Sequence, residues 1–212
     1  MKETTFRIYN ELFERYSSLM VEKENILSTF DFLVNAYKNG KKLLVCGNGG
    51  SAADSEHIVG ELMKQFKKPR KIKHKVTDNL KTYGQEGEML SETLEGSLRA
   101  ISLTSHLSLS TAFCNDKEPS VAFAQQLYGL ADRGDILLAI STSGNSKNCV
   151  FAAITAKAMG VKVISLTGEN DSSLREISDI TIKAPATETY KVQELHLPIY
   201  HCICAMLEEE FF

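Results

Sequence analysis

No stretch of this 212-residue sequence approaches the run of about 20 apolar residues that a membrane-spanning helix needs. Residues Met1 to Tyr9 are polar and charged with no apolar core, so no secretory signal is expected. Cysteine is scarce. Cys46, Cys114, Cys149, Cys202 and Cys204 are odd in number and form no C-x-x-C pair. A disulfide scaffold is thereby excluded, and free thiols in a cytoplasmic protein are expected. The Cys202-x-Cys204 spacing sits in an apolar helical pattern and reads as core thiols before metal ligands. Charge of one sign is missing too. Lys+Arg total 24 and Asp+Glu 27, a net charge of −3. That balance argues against a dedicated nucleic-acid binder, which sets many cations against phosphates. With 43% hydrophobic and 24% charged residues the chain is also neither disordered nor collagen-like. One domain over residues 1–212 is expected, large enough to hold a core without disulfides or a metal.

Residues 3–38 contain no glycine or proline. Phe6, Tyr9, Leu12, Phe13, Tyr16, Leu19 and Met20 recur at helical spacing. Ile26, Phe30, Leu33, Val34 and Tyr37 continue it after a break expected near Glu22–Asn25, and Asn39-Gly40 closes it. This N-terminal helical extension, residues 1–40, is free to pack on a partner subunit as readily as on its own domain.

Strand and helix then alternate. Strands are expected at Lys42–Cys46, Ala100–Thr104, Ile136–Ile140, Val161–Leu166 and Asp179–Ala184. Helices are expected at Ser51–Phe66, Ser105–Cys114, Ser120–Ala131, Lys147–Met159 (stopped by Gly160) and Thr187–Glu210. The strands are apolar on both faces. The fold class is therefore α/β, a five-stranded parallel sheet flanked by helices.

Residues 64–99 break this rhythm. Lys64–Lys75 holds seven Lys/Arg in twelve residues, and Glu86, Glu88, Glu92 and Glu95 follow. The favoured reading is a solvated, mobile insertion or extended loop whose charges offset one another. A nucleic-acid patch would call for aromatic interleaving. A third reading has a Lys or Arg here reaching an anionic substrate.

Two turns carry chemistry. The first strand enters Cys46-Gly47-Asn48-Gly49-Gly50-Ser51-Ala52-Ala53-Asp54. Glycine permits a tight turn and keeps side chains clear of a ligand, and the helix that follows aims free N–H groups at the same spot. The spacing is neither G-x-G-x-x-G nor a P-loop, and a plain strand-to-helix turn fits it as well. The third strand enters Ser141-Thr142-Ser143-Gly144-Asn145-Ser146. One hydroxyl would suffice to cap the next helix; four suit a phosphate. Both turns lie at the carboxyl end of a parallel sheet, where open α/β folds bind ligands. Together they favour a small phosphorylated ligand.

His57 and Glu61, four apart, share a helix face. Gln193 and His201, eight apart, share another, with His196 partly on it. A Glu and a His in one pocket suit proton transfer beside a carbonyl. His, Glu, Gln and His also suit a zinc-like ion. A surface His–Glu pair and a buried histidine are the competing reading. Pro198 between Gln193 and His201 is expected to kink or restart the helix.

CGNGGSAAD at 46–54, STSGNS at 141–146 and the Gln193–His201 segment resemble the sugar isomerase (SIS) domain family. Within it the likeness is to the phosphoheptose isomerases, which interconvert sedoheptulose 7-phosphate and D-glycero-D-manno-heptose 7-phosphate. It covers nearly the whole chain. The resemblance implies a flavodoxin-like α/β fold in a homotetramer with active sites between subunits. It implies substrate contacts at Asn48, Gly49, Gly50, Ser51, Glu61, Asn115, Asp116, Ser141, Thr142, Ser143, Ser146 and Gln193. Glu61 and His201 would be the acid/base pair, and zinc, in members that hold it, would use His57, Glu61, Gln193 and His201. The family pattern is shorter than residues 64–99 at this place and carries a substrate-contacting arginine there, for which Arg70 is the candidate.

The expected reaction is aldose–ketose isomerisation by an enediol, in heptose biosynthesis. One group moves a proton between C1 and C2 and the other moves one between the oxygens, with neither role assigned to a particular residue. The alternatives are a non-enzymatic SIS protein (a sugar-phosphate sensor or a replication-initiator-binding tetramer) and an isomerase of another sugar phosphate. The retained acid/base set favours the enzyme, within the rule that fold does not fix function.

Overall fold

Apolar segments Leu43–Cys46 (β1), Ala100–Ser102 (β2), Ile136–Ile140 (β3), Lys162–Gly168 (β4) and Ile180–Ala184 (β5) form one sheet in the order β2-β1-β3-β4-β5. The structure is a computed structural model that describes residues 1–212. Every strand pair is parallel, with Leu43 opposite Ala100 on one side and Ile136 on the other. Side chains alternate across the pleat. Leu43 and Val45 join the core built from Tyr9, Phe30 and Ile203. Leu44 and Cys46 join the opposite core with Leu127, Ala152 and Ala156. A sheet buried on both faces explains strands without a polar face.

The helices are Glu3–Arg15 (α1), Lys23–Lys38 (α2), Gly50–Met63 (α3), His74–Lys81 (α4), Gly84–Thr93 (α5), Leu107–Asp116 (α6), Ala122–Leu130 (α7), Lys147–Met159 (α8), Ser173–Ile177 (α9) and Thr189–Phe211 (α10). None is long and apolar enough to cross a membrane. All five cysteines are unpaired, and Cys202 and Cys204 are buried.

Three expectations change. The break in the N-terminal helices comes earlier, at Tyr16, followed by a 3-10 segment over Ser17–Glu22. Leu19 is fully buried there, and the Tyr9 hydroxyl donates to the Lys23 carbonyl at 2.8 Å, which ties α1 to the start of α2. Pro198 does not restart its helix, for α10 runs unbroken through it. Packing against α1, α2 and α3 outweighs the local preference. Residues 64–99 are not an extended loop either. Antiparallel pairing of Lys71 with Glu95 and a bond from Gly96 N–H to the Arg70 carbonyl close the base. Above it α4 and α5 pack on each other as a helical hairpin. A side chain at Gly87 would run into the Leu80 carbonyl, so only glycine permits that approach.

Candidate active site

In a sheet of order 2-1-3-4-5 the chain leaves β1 toward one neighbour and later returns on the other side. The crevice at the carboxyl ends of β1 and β3 is the topological switch point. Both turns open there. Gly49 adopts φ +55° and Gly144 φ +65°, a region that favours glycine. A side chain at Gly144 would also collide with the Ser172 hydroxyl. The backbone N–H groups of Asn48, Gly49, Thr142 and Ser143 have no partner within the chain. Ser146 holds the N-cap position of α8 without capping it, and its hydroxyl instead lies 2.9 Å from that of Ser141. The surplus hydroxyls and free N–H groups make a cradle for an anion. Ser51 is buried beneath the first turn.

The two turns are stitched together by a pair that the sequence reading missed. Asn48 Nδ2 donates to Asn148 Oδ1 at 2.9 Å, and Asn148 Nδ2 donates back to Asn48 Oδ1 at 2.8 Å. The side chain of Asn48 is therefore engaged in holding the cradle, while its backbone N–H stays free.

Helix α10 runs alongside α3 in the same direction. Gln193 lies against Gly50, where a methyl group would come within 2.6 Å of its amide nitrogen. Further along, the Tyr200 hydroxyl donates to Asp54 Oδ1 at 3.1 Å and lies 3.0 Å from His57 Nδ1. His57 Nε2 is 3.0 Å from Glu61 Oε1. The His201 ring meets the His57 ring edge-on, with centroids 5.0 Å apart. His57, Glu61 and His201 thus converge between two helices that start below the cradle. Eleven residues, about 16 Å along the helix, separate Gly50 from Glu61.

Burial, reinforced by nearby His57, lowers the His201 pKa below the ordinary histidine value, so near neutrality the ring is an uncharged base. Burial and the charge of Asp54 push the Tyr200 phenol well above its ordinary range. Burial likewise raises Asp54, against the pull of Tyr200 and His57. A cleft of about 420 Å³ opens on His201, walled by Arg15, Tyr16, Phe66, Lys67 and Glu194.

The donor chemistry at this point fits a cation. Glu61 Oε2 and His201 Nε2 are buried polar atoms with no partner, beside the second imidazole. The other Glu61 oxygen, Oε1, keeps its 3.0 Å contact with His57 Nε2, and no three His, Cys, Asp or Glu side chains gather at shared ligand distance.

Other residues lie elsewhere. His196 is fully buried, its Nε2 donating to the Thr167 carbonyl at 3.2 Å, and burial lowers its pKa to about 4. It packs under β4 and leaves the site face to Gln193 and His201. Asn115 and Asp116 end the exposed helix α6, and Asn115 Nδ2 donates to Asp116 Oδ1 at 2.9 Å. Arg70 does not face solvent or the cradle. Its guanidinium is buried, donating to Glu208 and to the carbonyls of Glu61 and Leu62 at 2.7–2.8 Å. It serves as a strut beneath Glu61.

The SIS domain family profile matches residues 9–168. The phosphoheptose isomerase of Nitratiruptor sp. is 38% identical over 178 residues, 84% of this chain and 82% of that one. That of Campylobacter concisus is 36% identical over 208 residues, 96% of both. The solved phosphoheptose isomerase of Neisseria gonorrhoeae superposes with a TM-score of 0.72 at 27% identity, over 97% of this chain and 94% of that one.

Proposed function

Since the chain belongs to the phosphoheptose isomerases of the SIS-domain family, we propose that it interconverts sedoheptulose 7-phosphate and D-glycero-D-manno-heptose 7-phosphate. The observation that carries this reading is the convergence of Glu61, His57 and His201 on the helices that lead from the anion cradle at the switch point. The cradle of Ser141, Thr142, Ser143, Ser146 and the glycine turn takes the phosphate. Binding energy at that remote end positions the reacting carbons. Glu61 and His201 carry the two proton transfers of an enediol reaction, one between C1 and C2 and one between the oxygens. His201 enters as the neutral base, for the reason given above.

Of the four expected ligands, His57, Glu61 and His201 converge and would hold a zinc ion, while Gln193 lies nearer the start of α3, against Gly50. When bound, the zinc would polarise the carbonyl and diol oxygens. The proposal extends to the assembly, a homotetramer with the site completed by a neighbouring copy. Asn115 and Asp116 sit on a helix with no buried residue, and the His57 side chain is 43% exposed in the single chain. Four buried, unpaired thiols fit a cytoplasmic setting.

The test is turnover of sedoheptulose 7-phosphate by Glu61→Gln and His201→Ala. Each is expected to lose about 10²–10⁴-fold in kcat with the fold intact by circular dichroism. Wild-type turnover in either would sink the assignment. A panel of other ketose phosphates, with product analysis, fixes the carbon chain.

A further inference from the structure

The hairpin of α4 and α5 lies outside the site described above and is thinly covered. The two helices pack on each other and on no other element to a comparable extent. No residue of α4 is buried, and in α5 only Gly87 is. The helices are eight and ten residues long. Helices that short are marginal in water unless an apolar face is packed. Such a face is present and half open. Val76, Leu80 and Tyr83 recur at spacings of four and three, and Tyr83, Gly87, Leu90 and Leu94 at four, three and four. The two rows meet where Gly87 packs on the Leu80 carbonyl. Yet Val76 stays 44% exposed, Tyr83 76%, Leu90 39% and Leu94 48%. Two helices bury a shared seam from one side only, and nothing else in the chain closes the other.

Charge says what fits there. Lys73, Lys75 and Lys81 run along α4 with one acid, Asp78. Helix α5 carries Glu86, Glu88 and Glu92 and no cation. All seven side chains are exposed, and none forms an ion pair within the chain, not even across the hairpin. The open face is therefore bordered by a positive edge on one side and a negative edge on the other. A two-fold axis parallel to the helices, in the plane of that face, sets the positive edge of one hairpin against the negative edge of its copy, twice over. Such self-complementarity is what an isologous interface requires. Pairing α4 on α4 would instead oppose like charges, which is penalised.

We propose that the α4–α5 hairpin docks on the same hairpin of a second copy of this chain, so that two open seams close into a four-helix bundle. Val76, Tyr83, Leu90 and Leu94 fill its centre, and the lysines of α4 face the glutamates of the partner's α5. No residue of the hairpin belongs to the acid/base set or the anion cradle, so this contact is independent of the isomerase reading.

The experiment is amide hydrogen exchange of the full chain, read by mass spectrometry on peptides covering α4 and α5, with the sheet amides as internal reference. Two charge-reversed variants are compared with wild type. Lys75→Glu with Lys81→Glu leaves the hairpin acidic on both edges, and Glu88→Lys with Glu92→Lys leaves it basic on both. Wild type is expected to exchange its hairpin amides at least about tenfold more slowly than either variant alone. Each variant also adds repulsion inside its own hairpin, so the decisive sample is the two variants co-expressed. Acidic hairpins then meet basic ones, and slow exchange is expected to return in the hairpin peptides of both chains. An unprotected hairpin in wild type, protection kept in either variant alone, or co-expressed variants that stay unprotected would each overturn the proposal. The last outcome would give the open seam to a partner other than this chain.

Discussion

Gly50 and Gln193 illustrate how a single hydrogen in place of a methyl group sets a site. Alanine is favoured over glycine in helices by up to about 1 kcal/mol, and Gly50 opens α3 with no positive φ. On helix propensity alone Gly50→Ala is neutral or stabilising. Its methyl would lie 2.6 Å from the Gln193 amide nitrogen, however, so Gln193 must move. Displacements of about 1 Å at a positioning residue can cost about 10²-fold. Gly50→Ala is therefore expected to lose about that much in kcat/KM while its melting temperature holds or rises. Melting curves beside steady-state rates check this, and unchanged kcat/KM would refute it. The residues legible in the sequence were those whose meaning survives in one dimension. The two turns follow strands, and His57 and Glu61 are four apart on one helix. Asn148 and Tyr200 were illegible, because each matters only through a partner about a hundred residues or more away. Asp54 offered a signal, one turn before His57 on the same face, but no partner to interpret it by.

At the scale of elements, the pair Arg70–Glu208 joins the end of α3 to the end of α10. Both side chains are essentially solvent-free. Glu208 also accepts the N–H groups of Phe66 and Lys67 at 2.7–2.8 Å. Burial alone would raise the Glu208 carboxyl, but these two N–H groups and Arg70 outweigh it and hold the pKa below its ordinary value. Removing one partner of such a pair costs about 3–5 kcal/mol, because a buried charge is stranded. Arg70→Met is expected to destabilise the chain by that amount in urea unfolding. The sign of the pH effect follows from the lowered pKa. The contribution is complete above the unfolded-state value, about 4.3, and is lost as pH falls through the folded-state value. The stability gap between wild type and Glu208→Gln is thus expected to be widest at neutral pH and to narrow below pH of about 4. A gap that is constant with pH would remove Glu208 from the account. Element bounds were readable where pattern and punctuation agreed. β3 and α8 fall on the expected residues, and Gly160 stops α8 at φ +73°. The five-residue α9 offered too few positions for a period. In residues 64–99, charge concealed structure, since a lysine-rich run reads as solvated while its one arginine is buried under Glu61.

The whole molecule leaves apolar side chains uncovered in a way that a lone chain does not explain. Helix α6 buries no residue. Leu107 on it is 74% exposed and Leu109 45%, with Tyr128 of α7 at 68%. Val21, in the N-terminal helical region, is 73% exposed. Clustered apolar exposure marks association surfaces. Asn115 and Asp116 end the same helix, so covering it would also carry two of the expected substrate contacts to a neighbouring site. Symmetric closed assemblies are the usual outcome for such surfaces. Light scattering on the purified chain is expected to give four times the 23.5 kDa chain mass. Leu107→Asp places a charge on the uncovered face without touching the core. It is expected to shift the mass toward smaller species and to lower turnover in proportion, while the helical content of each chain is unchanged. On the proposed reading, Asn115→Ala should leave the assembly intact and raise KM, because Asn115 is an expected substrate contact and not a packing one. A monomer with full turnover would show that one chain completes the site alone, and would return the exposed face of α6 to a surface without a role in the reaction.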